Sequence, residues 1–117
     1  MRRSKLRLLR EALDKLHDII CVVESLRLPA RLYLTGGAAE DRLTVTSDID
    51  IVVALDHEPS FEEAVEIREK ILDELEKAGI PPYLPVELHI VGPEKLRRYR
   101  TLKRLKCEKT RHGQASP

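Results

Sequence analysis

Asp48 and Asp50 stand two residues apart at the head of the apolar run 51–55, and Gly36-Gly37 precedes Asp48 by ten intervening residues. Side chains alternate along a strand, so the two aspartates share one face, roughly 7 Å apart at Cα. Ile49, Ile51, Val53 and Leu55 then point the other way, into a core. Two carboxylates so close repel unless a cation sits between them. Hard divalent cations such as Mg²⁺ take oxygen ligands and keep water and substrate phosphates for the rest of their shell. Glu87 lies inside a third apolar stretch, "VELHIV", with Val86, Leu88 and Ile90 on the opposite face. If that strand neighbours the one carrying Asp48 and Asp50, the three acids converge. His89 shares the face of Glu87 and reads first as an ordinary edge histidine. Gly36 and Gly37 end a strand without Cβ atoms, so backbone N–H groups there can approach phosphate oxygens. A Gly-Gly pair alone reads as a plain turn; its meaning comes from its distance to the acid-x-acid strand.

Other uses of the same residues fail on the sequence. Phosphatases of the haloacid dehalogenase type place an Asp-x-Asp where a strand ends and follow it with Thr or Ser two residues on. Here the apolar run follows the acids, and Val52 occupies that position. No Gly-Lys-Ser/Thr is present for a P-loop. Nor does any Cys/His cluster point to zinc.

The elements that must hold these residues are legible in outline. Residues 5 to 28 read as one long helix, with Leu6, Leu9, Leu13, Leu16, Ile20 and Val23 in an apolar stripe and Pro29 as the stop. "ARLYLTGG" is a strand running into a turn, and "DIDIVVAL" is the second strand. Ser60 and Glu63 form a capping box for a helix that Gly79 ends. "VELHIVG" is the third strand. "PEKLRRYRTLKRLK" opens with proline and reads as a basic third helix. The short link between the first two strands predicts antiparallel pairing. The helix between the second and third predicts parallel pairing. The expected fold class is α+β, a small mixed sheet of three to four strands packed with helices. Residues 1–107 form one domain, and 108–117 a disordered basic tail.

The chain has 117 residues, enough for a single core. Its longest apolar runs are far short of the ~20 residues of a membrane span. It also lacks a signal-peptide pattern, so a soluble cytoplasmic protein without a membrane role is expected. Cys21 and Cys107 have no CxxC partner, and reduced thiols are the default expectation. There is no asparagine, and 35% of the residues are charged, a pattern that resembles thermophile usage. Net charge is +1 but uneven. Residues 40–87 hold fourteen acids and four bases, whereas 93–112 hold two acids and nine bases. A basic end suits an acidic partner, or is simply a solvated face.

"TGGAAEDRLTVTSDIDIVV" followed by "VELHIV" resembles the DNA-polymerase-β-like nucleotidyltransferase superfamily, and within it the minimal nucleotidyltransferases. The family pattern is Gly-Gly or Gly-Ser, nine to thirteen residues, acid-apolar-acid, and a third acid in a later strand. Gly36-Gly37, residues 38 to 47, Asp48-Ile49-Asp50 and Glu87 meet it in order. Many relatives carry Ser at the second glycine position and then Arg, where this chain has Gly37 and Ala38. Thr35, Ser47 or Arg42 are the substitutes at hand for the missing hydroxyl and cation.

The resemblance implies transfer of a nucleoside monophosphate, AMP from ATP first of all, to a hydroxyl with release of pyrophosphate. It implies two Mg²⁺ ions, with Mn²⁺ as a substitute. Asp48 and Asp50 would ligate both ions, and Glu87 one, helping to deprotonate the acceptor. Gly36 and Gly37 would hold the β and γ phosphates. Such small relatives are often encoded with an all-helical HEPN partner, for which they resemble antitoxins, and some transfer AMP to its tyrosine. The lead expectation is therefore a nucleotidyltransferase acting on a HEPN-type protein in a toxin–antitoxin system. The alternative is a non-catalytic module that binds nucleotide or partner and neutralises a toxin by contact. Part of the long apolar stripe is also compatible with a homo-oligomer. RNA is the less favoured acceptor, since Tyr99 alone supplies stacking in the basic segment.

Overall fold

The computed structural model describes residues 5–37, 39 and 48–108. Two helices open the chain, α1 (Lys5–Asp14) and α2 (Leu16–Ser25). Strand β1 (Ala30–Thr35) leads to β2 (Ile49–Leu55), then come helix α3 (Phe61–Lys77), strand β3 (Val86–Val91), the short helix α4 (Pro93–Leu96) and strand β4 (Lys103–Leu105). The sheet has four strands in the order β3-β2-β1-β4. β1 pairs antiparallel with β2, and β2 pairs parallel with β3, as the connection lengths predict. The α+β class and the mixed sheet of the sequence reading are thus observed.

Alternation divides β2 between two cores. Ile49, Ile51, Val53 and Leu55 pack under α1, α2 and α3 with Leu9, Ile20 and Ile71. Ile49, Ile51, Val53 and Ile71 are fully buried, so β2 cannot shift without opening this layer. On the second face, Val52, Ala54 and Val91 form a smaller cluster with Tyr33, Leu96, Tyr99 and Leu102. This cover of α4 and the segment after it hides the far half of the face. The near half, where β2 and β3 begin and β1 ends, is left for the acids.

Three expectations are corrected. The single helix over 5–28 is broken at Lys15, whose backbone (φ −98°, ψ 3°) lies in the bridge region. Its amide is shared between the carbonyls of Glu11 and Ala12. No glycine or proline marks this break. Leu6 and Leu13 of the predicted stripe are exposed, while Leu9 and Ala12 are buried. The basic third helix is replaced by the single turn of α4 and by β4, which adds to the free edge of β1. The apolar residues Leu96, Tyr99 and Leu102 serve the second core instead of one helix face.

The third correction concerns the cysteines. Cys21 on α2 and Cys107 beyond β4 form a disulfide across 86 residues of sequence. The Glu108 amide also donates to His17 Nε2 on α2, so the chain is held to the helices as far as residue 108. Residues 109–117, the remainder of the expected tail, lie outside the described residues. The bridge replaces the reduced thiols expected of both cysteines.

At the N-terminus of α3 only half of the predicted capping box forms. Ser60 Oγ accepts from the Glu63 amide at 3.1 Å. The Glu63 carboxylate does not complete the capping box with Ser60; it accepts from His57 Nε2 at 2.7 Å, while His57 Nδ1 donates to Asp56. These two hydrogen bonds, Asp56 first, raise the His57 pKa above its ordinary value.

A bridge closing so long a loop constrains the unfolded chain by about 4–5 kcal/mol in the chain-entropy account. The double variant Cys21→Ala/Cys107→Ala should therefore lose up to about 4 kcal/mol of stability in denaturant titrations. Reductant should bring wild type to the same midpoint. Two free thiols titrating in the unreduced protein would contradict the bridge.

Candidate active site

The strand register builds the site as a row across the sheet. Thr35 of β1 lies opposite Asp50 of β2, and Asp50 is in register with Glu87 of β3. Partners in register point to the same face. The next row is Tyr33, Val52 and His89, and the third is Arg31, Ala54 and Val91. The face thus runs from polar to apolar over three rows, with the acids at the end that α4 does not reach. The 26% exposure of the Asp50 side chain against 57% for Glu87 makes Glu87 the more accessible carboxylate.

His89 joins the acids. Its Nε2 donates to Asp50 Oδ1 at 3.0 Å and lies 4.0 Å from Glu87 Oε1. Its ring meets Tyr99 edge-on, with centroids 6.3 Å apart. Burial, and then the charges of Asp50 and Glu87, push the Tyr99 phenol above its ordinary pKa. One ligand atom each from Asp50, Glu87 and His89 lies within 4.8 Å of the other two. Two carboxylate oxygens and an imidazole nitrogen at such spacing are a fitting donor set for a divalent cation.

Asp48 is not part of that triad. It is exposed and lies one residue before β2, where the alternation of the strand does not yet fix it. Gly36 has a role beyond a turn. Its φ is +75°, and a Cβ built there would stand 2.8 Å from Asp50 Oδ2. The missing side chain gives the Asp50 carboxylate its space. Gly37 follows, half-buried in the same turn. Thr35 is buried, and its hydroxyl donates to the Thr101 carbonyl at 2.7 Å. Its proton thus ties the segment after α4 to the site row. Arg42 and Ser47 lie outside the described residues.

His89 was readable from the alternation that places it with Glu87, but its bond to Asp50 depends on the β2–β3 register. Tyr99 gave no such signal, since its approach to the site requires the chain to leave the helix after Leu96.

The family model of the nucleotidyltransferase domain matches residues 9–109, almost the whole chain. The chain belongs to this nucleotidyltransferase family. Its fold is similar to the crystal structure of a candidate nucleotidyltransferase from Sulfolobus solfataricus, with a TM-score of 0.57. That likeness covers 93% of this chain and 92% of the other at 17% identity, and it supports the fold. No curated protein sequence matches the chain. Among the described residues, no helix is long and apolar enough to cross a membrane. The membership supports a general nucleotidyl-transfer activity for this domain.

A Gly36→Ala domain should be less stable by about 1–2 kcal/mol, because an L side chain is strained in the left-handed region. Denaturant unfolding measures this. An alanine variant as stable as wild type would contradict the turn and its contact with Asp50.

Proposed function

We propose that this chain is a divalent-metal-dependent transferase that moves AMP from ATP to a hydroxyl on a helical, HEPN-type partner protein. The observation that carries the reading is the register of Asp50 with Glu87, next to the Gly36 turn, in a chain of the nucleotidyltransferase family. Asp50 and Glu87 would hold the cation, and Asp48, exposed one residue before β2, would add a further carboxylate. A bound Mg²⁺ or Mn²⁺ neutralises phosphate charge and lowers the pKa of the attacking oxygen.

The chain's own residues supply position. The backbone amides of the Gly36-Gly37 turn receive the β and γ phosphates, with Ser47 and Arg42 on the connection that follows. The acceptor oxygen bonds to the α-phosphorus as the bond to pyrophosphate breaks. Its proton passes to the Glu87 carboxylate, the most solvent-accessible of the triad. The Thr35 hydroxyl positions the segment carrying Tyr99 beside this row. Positioning and charge stabilisation then account for the rate.

For a partner protein, α1 has apolar side chains to offer. Leu6 and Leu13 are large apolar side chains left exposed on α1, at 45% and 39%. They offer a contact to a partner helix, while the acidic row remains open to that partner's hydroxyl. As an antitoxin the chain would act by modifying its partner, with simple contact as the weaker form of the same control.

The test uses the chain co-expressed with the product of its adjacent gene. With Mg²⁺, label at the α-phosphate of ATP should appear on the partner, and label at the γ-phosphate should not. Asp50→Asn and Glu87→Gln should each reduce incorporation by about a hundredfold or more, with an unchanged circular dichroism spectrum. A complex that forms but never gains label would replace the transferase reading with neutralisation by contact.

A further inference from the structure

We propose that His89 is a nitrogen ligand of the cation site and that it shifts the site's preference from Mg²⁺ toward first-row transition ions such as Mn²⁺ and Co²⁺. The inference rests on the reading of Asp50 and Glu87 as cation ligands and adds a residue and a selectivity to it. Three observations carry it. The Nε2 atom faces both carboxylates, at 3.0 Å from Asp50 Oδ1 and 4.0 Å from Glu87 Oε1. As a ligand it would exchange its hydrogen bond to Asp50 for the ion, with the single proton of the neutral ring on Nδ1. The ring also meets Tyr99 edge-on, at an interplanar angle of 71°. The side chain is only 31% exposed, and its Nε2 lies within hydrogen-bond reach of Asp50.

The chemistry follows from the donor types. Mg²⁺ is a hard ion that prefers oxygen ligands and holds its water tightly. Imidazole nitrogen gains more from ions later in the first transition row. A site with two carboxylates and one imidazole therefore discriminates among divalent ions in a way that an all-carboxylate site does not. The exposed position of Asp48, outside the triad, makes His89 the third donor that the fold itself supplies. A histidine present only to satisfy Asp50 would also donate to that carboxylate. It would not bond to the ion, and its loss would affect all ions alike.

The experiment titrates the chelator-treated chain with Mg²⁺, Mn²⁺ or Co²⁺ by calorimetry, in wild type, His89→Gln and Asp50→Asn. Pulsed electron paramagnetic resonance of the Mn²⁺ complex reads nitrogen coupling directly. Wild type should show a coupled nitrogen that His89→Gln lacks. That variant should bind Mn²⁺ and Co²⁺ about tenfold more weakly, with Mg²⁺ affinity changed by less than about twofold. Equal losses for all three ions, or a Mn²⁺ signal without nitrogen coupling, would overturn the proposal. The failures are separable. If Asp50→Asn binds Mn²⁺ as wild type does, the cation site itself lies elsewhere. If Asp50→Asn loses the ion while wild type shows no coupled nitrogen, the site stands and only the role of His89 falls.

Discussion

The parallel register of β2 on β3 is the constraint from which the functional face follows. It sets Asp50 beside Glu87 and brings His89 one row along the same face. A slip of one residue would send the acids into the helix-covered core. That slip is opposed by Ile49, Ile51 and Val53, all fully buried under α1, α2 and α3. The helical layer therefore does more than bury area. It fixes, from the opposite face, which carboxylates meet.

The acid row also has to be tolerated in the absence of a cation. Asp50 is three-quarters covered, and a second carboxylate lies next to it in register. Hydrogen bonding to His89 offsets part of that cost. Gly36 leaves the room in which the Asp50 carboxylate sits, and the Thr35 hydroxyl closes the row against the Thr101 carbonyl. The disulfide acts at the far end of the same segment, holding Cys107 to α2. Tyr99 and Leu102, which line the site face, thus lie on a stretch secured at both ends.

Much of this was legible in the sequence because it depends on short-range alternation. The period of two along β2 and β3 placed Asp50 and Glu87 on one face, and connection lengths gave both pairing directions. The rest turns on contacts that local pattern does not encode. Leu96, Tyr99 and Leu102 recur every three residues, which suits a helix as well as it suits the observed path over Tyr33 and Val52. An open β1 edge decided the matter by recruiting Lys103–Leu105 as a strand. The break at Lys15 has no residue-type signal. Cys21 and Cys107 come together only when β4 is placed, so their spacing gave no warning of a bridge. Asp48, which alternation also put with Asp50, lies one residue before the strand and outside the Asp50–Glu87–His89 group.

The proposed function makes Asp50 and its neighbours ligands of a divalent cation in the folded domain. A ligand that binds only the folded state stabilises it by RT ln(1 + [L]/Kd), about 2.7 kcal/mol at a hundredfold excess over Kd. The direct measurement is the melting temperature of wild type and Asp50→Asn, each in chelator and in saturating Mn²⁺. Wild type should melt higher with the metal, and Asp50→Asn should gain little or nothing. An equal rise in both proteins would contradict the claim and place the cation elsewhere.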